Sequence, residues 1–220
     1  MPPAVLTADA ITAGYDRRHP VLTDFSLTVH PGRTVGLAGP SGSGKSTLAR
    51  VLALLHRPFA GVVRLDGVPV TGYRHRAPRA TRTRIGVLFQ QPRLSVDPRL
   101  TLRAAIAEPL RANGRPVDAV EELADLVMLT PELLLRRPHE VSDGQLQRAC
   151  LARALALRPD YLLCDEMTTM LDASTTAALV GVIRDYQRRT GAGVLAVSHD
   201  AVLLDRWADD VVTVGSPAAG

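Results

Sequence analysis

The chain has 220 residues, 46% hydrophobic and 22% charged, with a net charge of +4, which fits one compact globular domain and excludes a disordered or fibrous chain. Only 4% of the residues are aromatic, so the core has to be built from Val, Leu, Ile and Ala. Two cysteines, Cys150 and Cys164, are too few for a disulfide framework and fall in apolar segments, which suits a reducing cytosol.

The opening residues MPPAVLTADA lack the basic start and apolar run of a secretory signal, and no stretch approaches the roughly 18–20 uncharged residues of a bilayer span. Short β-branched runs alternate with helical stretches, the pattern of an α/β domain with a mainly parallel sheet. Residues 4–13 and 25–29 read as strands of an antiparallel portion, turned at Pro31 and Gly32. Residues 34–38 (TVGLA) read as a buried strand, followed by a glycine-rich loop and a helix over 45–55. A strand at 62–65 turns at Asp66 and Gly67, and 85–88 forms a short buried strand leading into FQQP. From 100 to about 135 the pattern becomes helical, punctuated by Pro109, Gly114, Pro116 and Pro131. Helix 144–157, strand 161–164, helix 174–189 and strands 193–197 and 210–214 complete the chain. It is read as one domain, 1–220: a core from 1–99 and 158–214, a helical subdomain over about 100–157, and a tail at 215–220.

Residues 39–47 read GPSGSGKST, which fits G-x-x-x-x-G-K-[ST] directly after a strand and before a helix. At ordinary composition that pattern arises by chance in roughly one chain of this length in a hundred, before the strand and helix are demanded. Gly39, Gly42 and Gly44 let the backbone of Pro40, Ser41 and Ser43 fold so that N–H groups converge on phosphate oxygens, and the helix opening at Lys45, Ser46 and Thr47 adds its positive end. Of 26 basic residues, Lys45 alone is lysine. It supplies a compact charge for the terminal phosphates, and the Ser46 hydroxyl is placed to ligate Mg²⁺. Downstream, YLLCDE at 161–166 is an apolar strand ending in two carboxylates, which point opposite ways at the strand's C-terminal end, where open α/β sheets put their ligands. Asp165 is the candidate to hold Mg²⁺ through water, and Glu166 to orient and deprotonate an attacking water.

These residues resemble the ATP-binding subunit of ATP-binding-cassette (ABC) transporters over about residues 4–214. The specific mark is HEVSDGQLQRACLARALALRPDYLLCDE at 139–166, in which VSDGQ looks like the signature LSGGQ. Tyr15 in TAGY resembles the aromatic that stacks on adenine, and Gln90 in LFQQP the glutamine that senses Mg²⁺ and the transmembrane partner. Asp172 in MLDAS resembles the D-loop aspartate, and His199 in VSHD the histidine that contacts the γ-phosphate. The resemblance implies a phosphate-loop fold with an antiparallel β portion and a helical subdomain. It implies ATP and Mg²⁺ as cofactors, with Lys45, Gln90, Glu166 and His199 catalytic. It also implies a dimer in which Ser142, Asp143, Gly144 and Gln145 grip the ATP of the opposing subunit.

Two departures from the family pattern stand out. Asp143 occupies the signature's usual first glycine; at about 6 Å and an effective dielectric near 20, like charges repel by about 3 kcal/mol, unless the side chain turns outward. Met167 stands where proline usually follows the glutamate, and Thr168, Thr169 and Met170 are also atypical. The segment FQQPRLSVDPRLTL at 89–102 is similar to that of dipeptide, oligopeptide and nickel importer ATPases. The implied partners are a second ATPase subunit, transmembrane permease subunits received beside Gln90 and the helical insertion, and an extracytoplasmic solute-binding protein, with the chain peripheral on the inner face of the cell membrane. The alternatives are a non-transport cassette ATPase, such as a carbon–phosphorus lyase accessory subunit, or a weakly hydrolysing member of a heterodimer. RHRAPRATRTR at 74–84 has five arginines and no acid, but lacks the interleaved aromatics that stack nucleic-acid bases, and reads as a solvated basic edge.

Overall fold

The computed structural model of the protein describes residues 5–169 and 171–215. Ala4, Met170 and residues 216–220 of the expected tail lie outside the described residues. Two sheets divide the strands by their pairing. The antiparallel sheet has the order β2-β1-β4-β5, from β1 (Leu6–Ala13), β2 (Leu22–Val29), β4 (Ala60–Leu65) and β5 (Val68–Pro69). The other is parallel throughout, in the order β6-β7-β8-β3-β9, from β3 (Thr34–Ala38), β6 (Ile85–Leu88), β7 (Tyr161–Asp165), β8 (Gly193–Val197) and β9 (Asp210–Thr213). β7 and β8 are buried at every residue, as expected of strands covered on both faces.

Alternate residues of these strands feed two hydrophobic clusters. Tyr161, Leu163, Leu195 and Val197 face α1 (Lys45–Leu52) and the antiparallel sheet. Leu162, Cys164, Val194 and Ala196 face α6 (Asp143–Leu155) and α7 (Ala173–Thr190). α3 (Leu102–Ala112) and α4 (Ala119–Leu126) pack on α6, and the short α5 (Pro131–Leu134) packs on α3. Leu123, Leu126, Val127 and Leu129 belong to this core. Both cysteines are free and buried, and burial pushes Cys150 up to about 11 and Cys164 further still.

Several boundaries differ from the sequence expectation for local reasons. The first helix stops at Leu52 rather than 55, because Leu54 turns left-handed at φ 60°. Pro109 does not interrupt α3; the buried face of Leu102, Ile106 and Leu110 holds the helix through it. β2 and β4 begin earlier than expected, and α6 starts at Asp143 and ends at Leu155. Two helices were not expected at all, α2 (Arg79–Arg82) and α8 (Ala201–Trp207).

Candidate functional site

The loop between β3 and α1 owes its shape to three glycines with left-handed backbones, at φ 146° for Gly39, 79° for Gly42 and 99° for Gly44. A Cβ on Gly39 would lie 2.7 Å from the Val214 carbonyl oxygen, and one on Gly44 2.7 Å from Leu22 Cγ. Gly44 also begins α1 with no side chain to cap it, so the first N–H groups of that helix keep their donors for a ligand. By contrast Ser142, Asp172 and Asp200 cap α6, α7 and α8 with their own oxygens.

Lys45 is buried, and its Nζ donates to the carbonyls of Gly39 and Pro40, each at 2.8 Å. An ammonium has three donors, so one is left for an oxygen in the loop's concavity. The Ser46 hydroxyl donates to Asp165 Oδ1 at 2.8 Å, joining the start of α1 to the end of β7. Asp165 is only 3% exposed, and burial raises its pKa against the lowering effect of that hydrogen bond. Glu166 follows with a left-handed backbone at φ 47°, its N–H donating to Val197. Its Oε2 lies 3.8 Å from His199 Nδ1.

An open cavity of about 370 Å³ is lined by Tyr15, Ser41, Gly42, Lys45, Gln90 and Glu166 among others. It gathers residues from five separate stretches of the sequence. Tyr15 is 73% exposed, with Arg50 Nη1 donating to its hydroxyl at 2.6 Å and the His56 ring 5.8 Å away. Among the described residues Ser43 Oγ is buried without a partner, and the space beside Gly42 is open. A loop so built fits an enclosed anion. The Ser46–Asp165 pair offers hard oxygen donors of the kind Mg²⁺ takes together with substrate phosphates. Among the described residues no group of three or more His, Cys, Asp or Glu could hold a metal, and Mg²⁺ does not require one.

The signature-like residues lie outside this cavity. Ser142 Oγ accepts from Gln145 N at 3.2 Å and Gln145 Oε1 accepts from Ser142 N at 3.0 Å, a reciprocal cap on α6. Gly144 lets the start of α6 approach α7 closely, since a Cβ there would sit 3.1 Å from Thr175 Cγ2. Asp172 accepts from Ser174, from the Thr175 N–H and from the Thr175 hydroxyl, which holds its carboxyl far below the usual range. Asp143 does not line the cavity: its side chain is 42% exposed at the surface, and its Oδ1 is 2.8 Å from Arg93 Nε.

Two residues escaped the sequence reading. Arg93 forms the contact just described. Gln147, 1% exposed on α6, donates from Nε2 to Phe89 O at 3.1 Å and to Met167 O at 3.2 Å, so one amide joins the neighbours of Gln90 and of Glu166. Its place two residues after Gln145 was visible, but not that its acceptors are backbone carbonyls brought in from distant segments.

Comparison with known proteins gives the family and the fold. The ABC transporter family description matches residues 22–169. The nickel import ATP-binding protein NikE of Brucella suis is 40% identical over 200 residues, covering 89% of this chain and 75% of that protein. A protein of Sinorhizobium fredii, named "Probable peptide ABC transporter ATP-binding protein y4tS", is 38% identical over 83% of this chain and 53% of its own length. Among solved structures, the dimeric bacterial ABC transporter cassette MJ0796 superposes with a TM-score of 0.85 at 26% identity, over 96% of this chain and 94% of that one. The same cassette has also been solved as a post-hydrolysis dimer bound to ADP and Pi. The chain belongs to the ABC transporter family and is one of its ATPase subunits.

Proposed function

We propose that this chain energises an importer for nickel chelates or peptides by binding and hydrolysing ATP as half of a cassette dimer. The observation that carries this reading is the meeting of Lys45, the Ser46–Asp165 pair, Gln90 and Glu166 at the uncapped start of α1, while the capped start of α6 stays outside. Each site would then be finished by a second subunit, whose Ser142, Gly144 and Gln145 present another helix end to the terminal phosphate.

Within one chain the roles follow from position. The Tyr15 ring provides an exposed face for a base. Loop N–H groups and Lys45 bind the phosphates and orient the terminal one. Ser46, Asp165 and Gln90 would hold Mg²⁺, which when bound neutralises phosphate charge. Glu166, fixed by the turn after β7, takes the proton of a water attacking in line, and His199 stands beside it to contact the γ-phosphate. Lys45 and Glu166 must act in sequence, binding before proton transfer. The core of 1–99 and 158–214 would carry the phosphate loop and both carboxylates, and the helical subdomain over about 100–157 the signature. That subdomain and the Gln90 segment would receive a transmembrane permease, with an extracytoplasmic solute-binding protein delivering cargo. No helix among the described residues is long and apolar enough to cross a membrane; the chain would sit at the inner membrane face through its permease partner. NikE and y4tS support the cargo class by their names alone.

Two substitutions test the site. Glu166→Gln should bind ATP, lose at least roughly a hundredfold in turnover and accumulate a dimer on gel filtration; persistent turnover would remove Glu166 from its role. Lys45→Ala should abolish nucleotide binding or hydrolysis, as read by a fluorescent ATP analogue and by phosphate release. Cargo is tested by vesicle uptake with the cognate permease, supplying labelled nickel chelate or peptide in parallel.

A further inference from the structure

The start of α6 carries a carboxylate at the position where a phosphate-receiving helix end is least tolerant of one. Arg93 meets it from the opposite side. This residue sits in the short 3₁₀ turn Pro92–Leu94, three places after Gln90, and all three guanidinium nitrogens are engaged on one loop. Nη1 donates to Pro138 O at 2.7 Å and Nη2 to Val141 O at 3.1 Å. Nε lies 2.8 Å from Asp143 Oδ1, an ion pair in which the N–H is not aligned for a hydrogen bond, and no other donor among the described residues reaches that oxygen. Besides the helix end that Asp143 opens, Arg93 is thus its ion-pair partner among the described residues. The two side chains are 47% and 42% exposed while Oδ1 itself is sealed, so the pair is partly screened and weak enough to part.

We propose that Arg93 is a positioning residue for the dimer site: it cancels the charge of Asp143 and fixes the 138–143 loop, so that the start of α6 remains a receiver for the opposing subunit's phosphate. This rests on the reading of the signature residues given above. An ion pair presents a phosphate with a short dipole in place of a full negative charge, and the field of a dipole falls off faster than that of a lone charge. Arg93 also ties the charge state of α6 to the segment that holds Gln90. A displacement of the Gln90 segment that drew Arg93 away would uncover Asp143 and weaken the grip on the opposing nucleotide. The carboxylate then serves as a latch, not as a defect of the site.

The test compares the parent chain, Arg93→Ala, Arg93→Gln and the double variant Arg93→Ala/Asp143→Asn. Steady-state ATP turnover is measured against protein concentration, and affinity of the isolated subunit for a fluorescent ATP analogue is measured separately. Removing the arginine should lower turnover roughly tenfold, the order expected for an uncompensated charge facing a phosphate across a partly screened gap. It should also raise the protein concentration needed for half-maximal rate, with nucleotide affinity of the isolated subunit unchanged. Arg93→Gln, which keeps a donor for the loop carbonyls without the charge, should share the loss. The double variant should regain most of the lost turnover. A double variant as slow as Arg93→Ala would overturn charge cancellation and leave Arg93 a loop brace only, and full turnover in Arg93→Ala would overturn the proposal outright. Absence of nucleotide binding in the parent chain is a distinct result that would sink the ATPase reading and this proposal together.

Discussion

At Asp165 the carboxyl is nearly sealed from solvent, and burial pushes its pKa above the ordinary carboxylate value while the Ser46 hydroxyl draws it part of the way back. The sign of the consequence is fixed by linkage. Between the ordinary pKa and the raised one, the folded state holds more protons than the unfolded state, so stability falls as pH rises through that window and the penalty persists at neutral pH. Asp165→Asn keeps an oxygen to accept from Ser46 and removes the buried charge. We expect it to gain on the order of 1 kcal/mol at pH 7, roughly 2–4 °C in thermal midpoint for a chain of this size, to lose the pH dependence in that window, and to lose Mg²⁺-dependent turnover. Thermal melts from pH 4 to 8 check the first two. This acid was legible as the end of an apolar strand, and Lys45 as the sole lysine among so many arginines. Arg93 was hidden by the same composition: one arginine of a large number, whose acceptors on Pro138 and Val141 are 45 and 48 residues away in the chain.

Among the elements, α1 shows how a loop and a helix depend on one residue. Gly44 is at once the uncapped start of the helix, a left-handed corner and a point where a Cβ would lie 2.7 Å from Leu22 Cγ. Gly44→Ala should therefore cost about 1–3 kcal/mol in stability and remove nucleotide binding; a calorimetric melt and an ATP titration check both, and a variant that melts and binds like the parent would refute this account of the corner. The strands of the parallel sheet were readable because short, mostly apolar runs between turn residues have few other uses. α8 was not, because its seven residues follow directly on VSHD, although Asp200 Oδ1 accepting from Leu203 N is a capping signal that the sequence carried. Pro109 misled in the opposite direction, since tertiary burial of Ile106 and Leu110 outweighed the ring's local penalty.

For the molecule as a whole, the two clusters on either face of the parallel sheet make its central strands the common wall of both cores. β7 ends where both meet: its last residue, Asp165, pairs with Ser46 of α1, and the next, Glu166, turns toward His199. That turn has a price in thermostability. Glutamate at φ 47° occupies backbone territory that asparagine enters far more readily. Glu166→Asn should melt roughly 2–4 °C higher than the parent if it recovers about 1 kcal/mol, while hydrolysing no ATP, and a lower midpoint on scanning calorimetry would deny the strain. If Glu166 has the role proposed for it, heat selection applied to this scaffold without a parallel screen for catalysis would drift toward sturdy, inert cassettes in which that residue has been replaced.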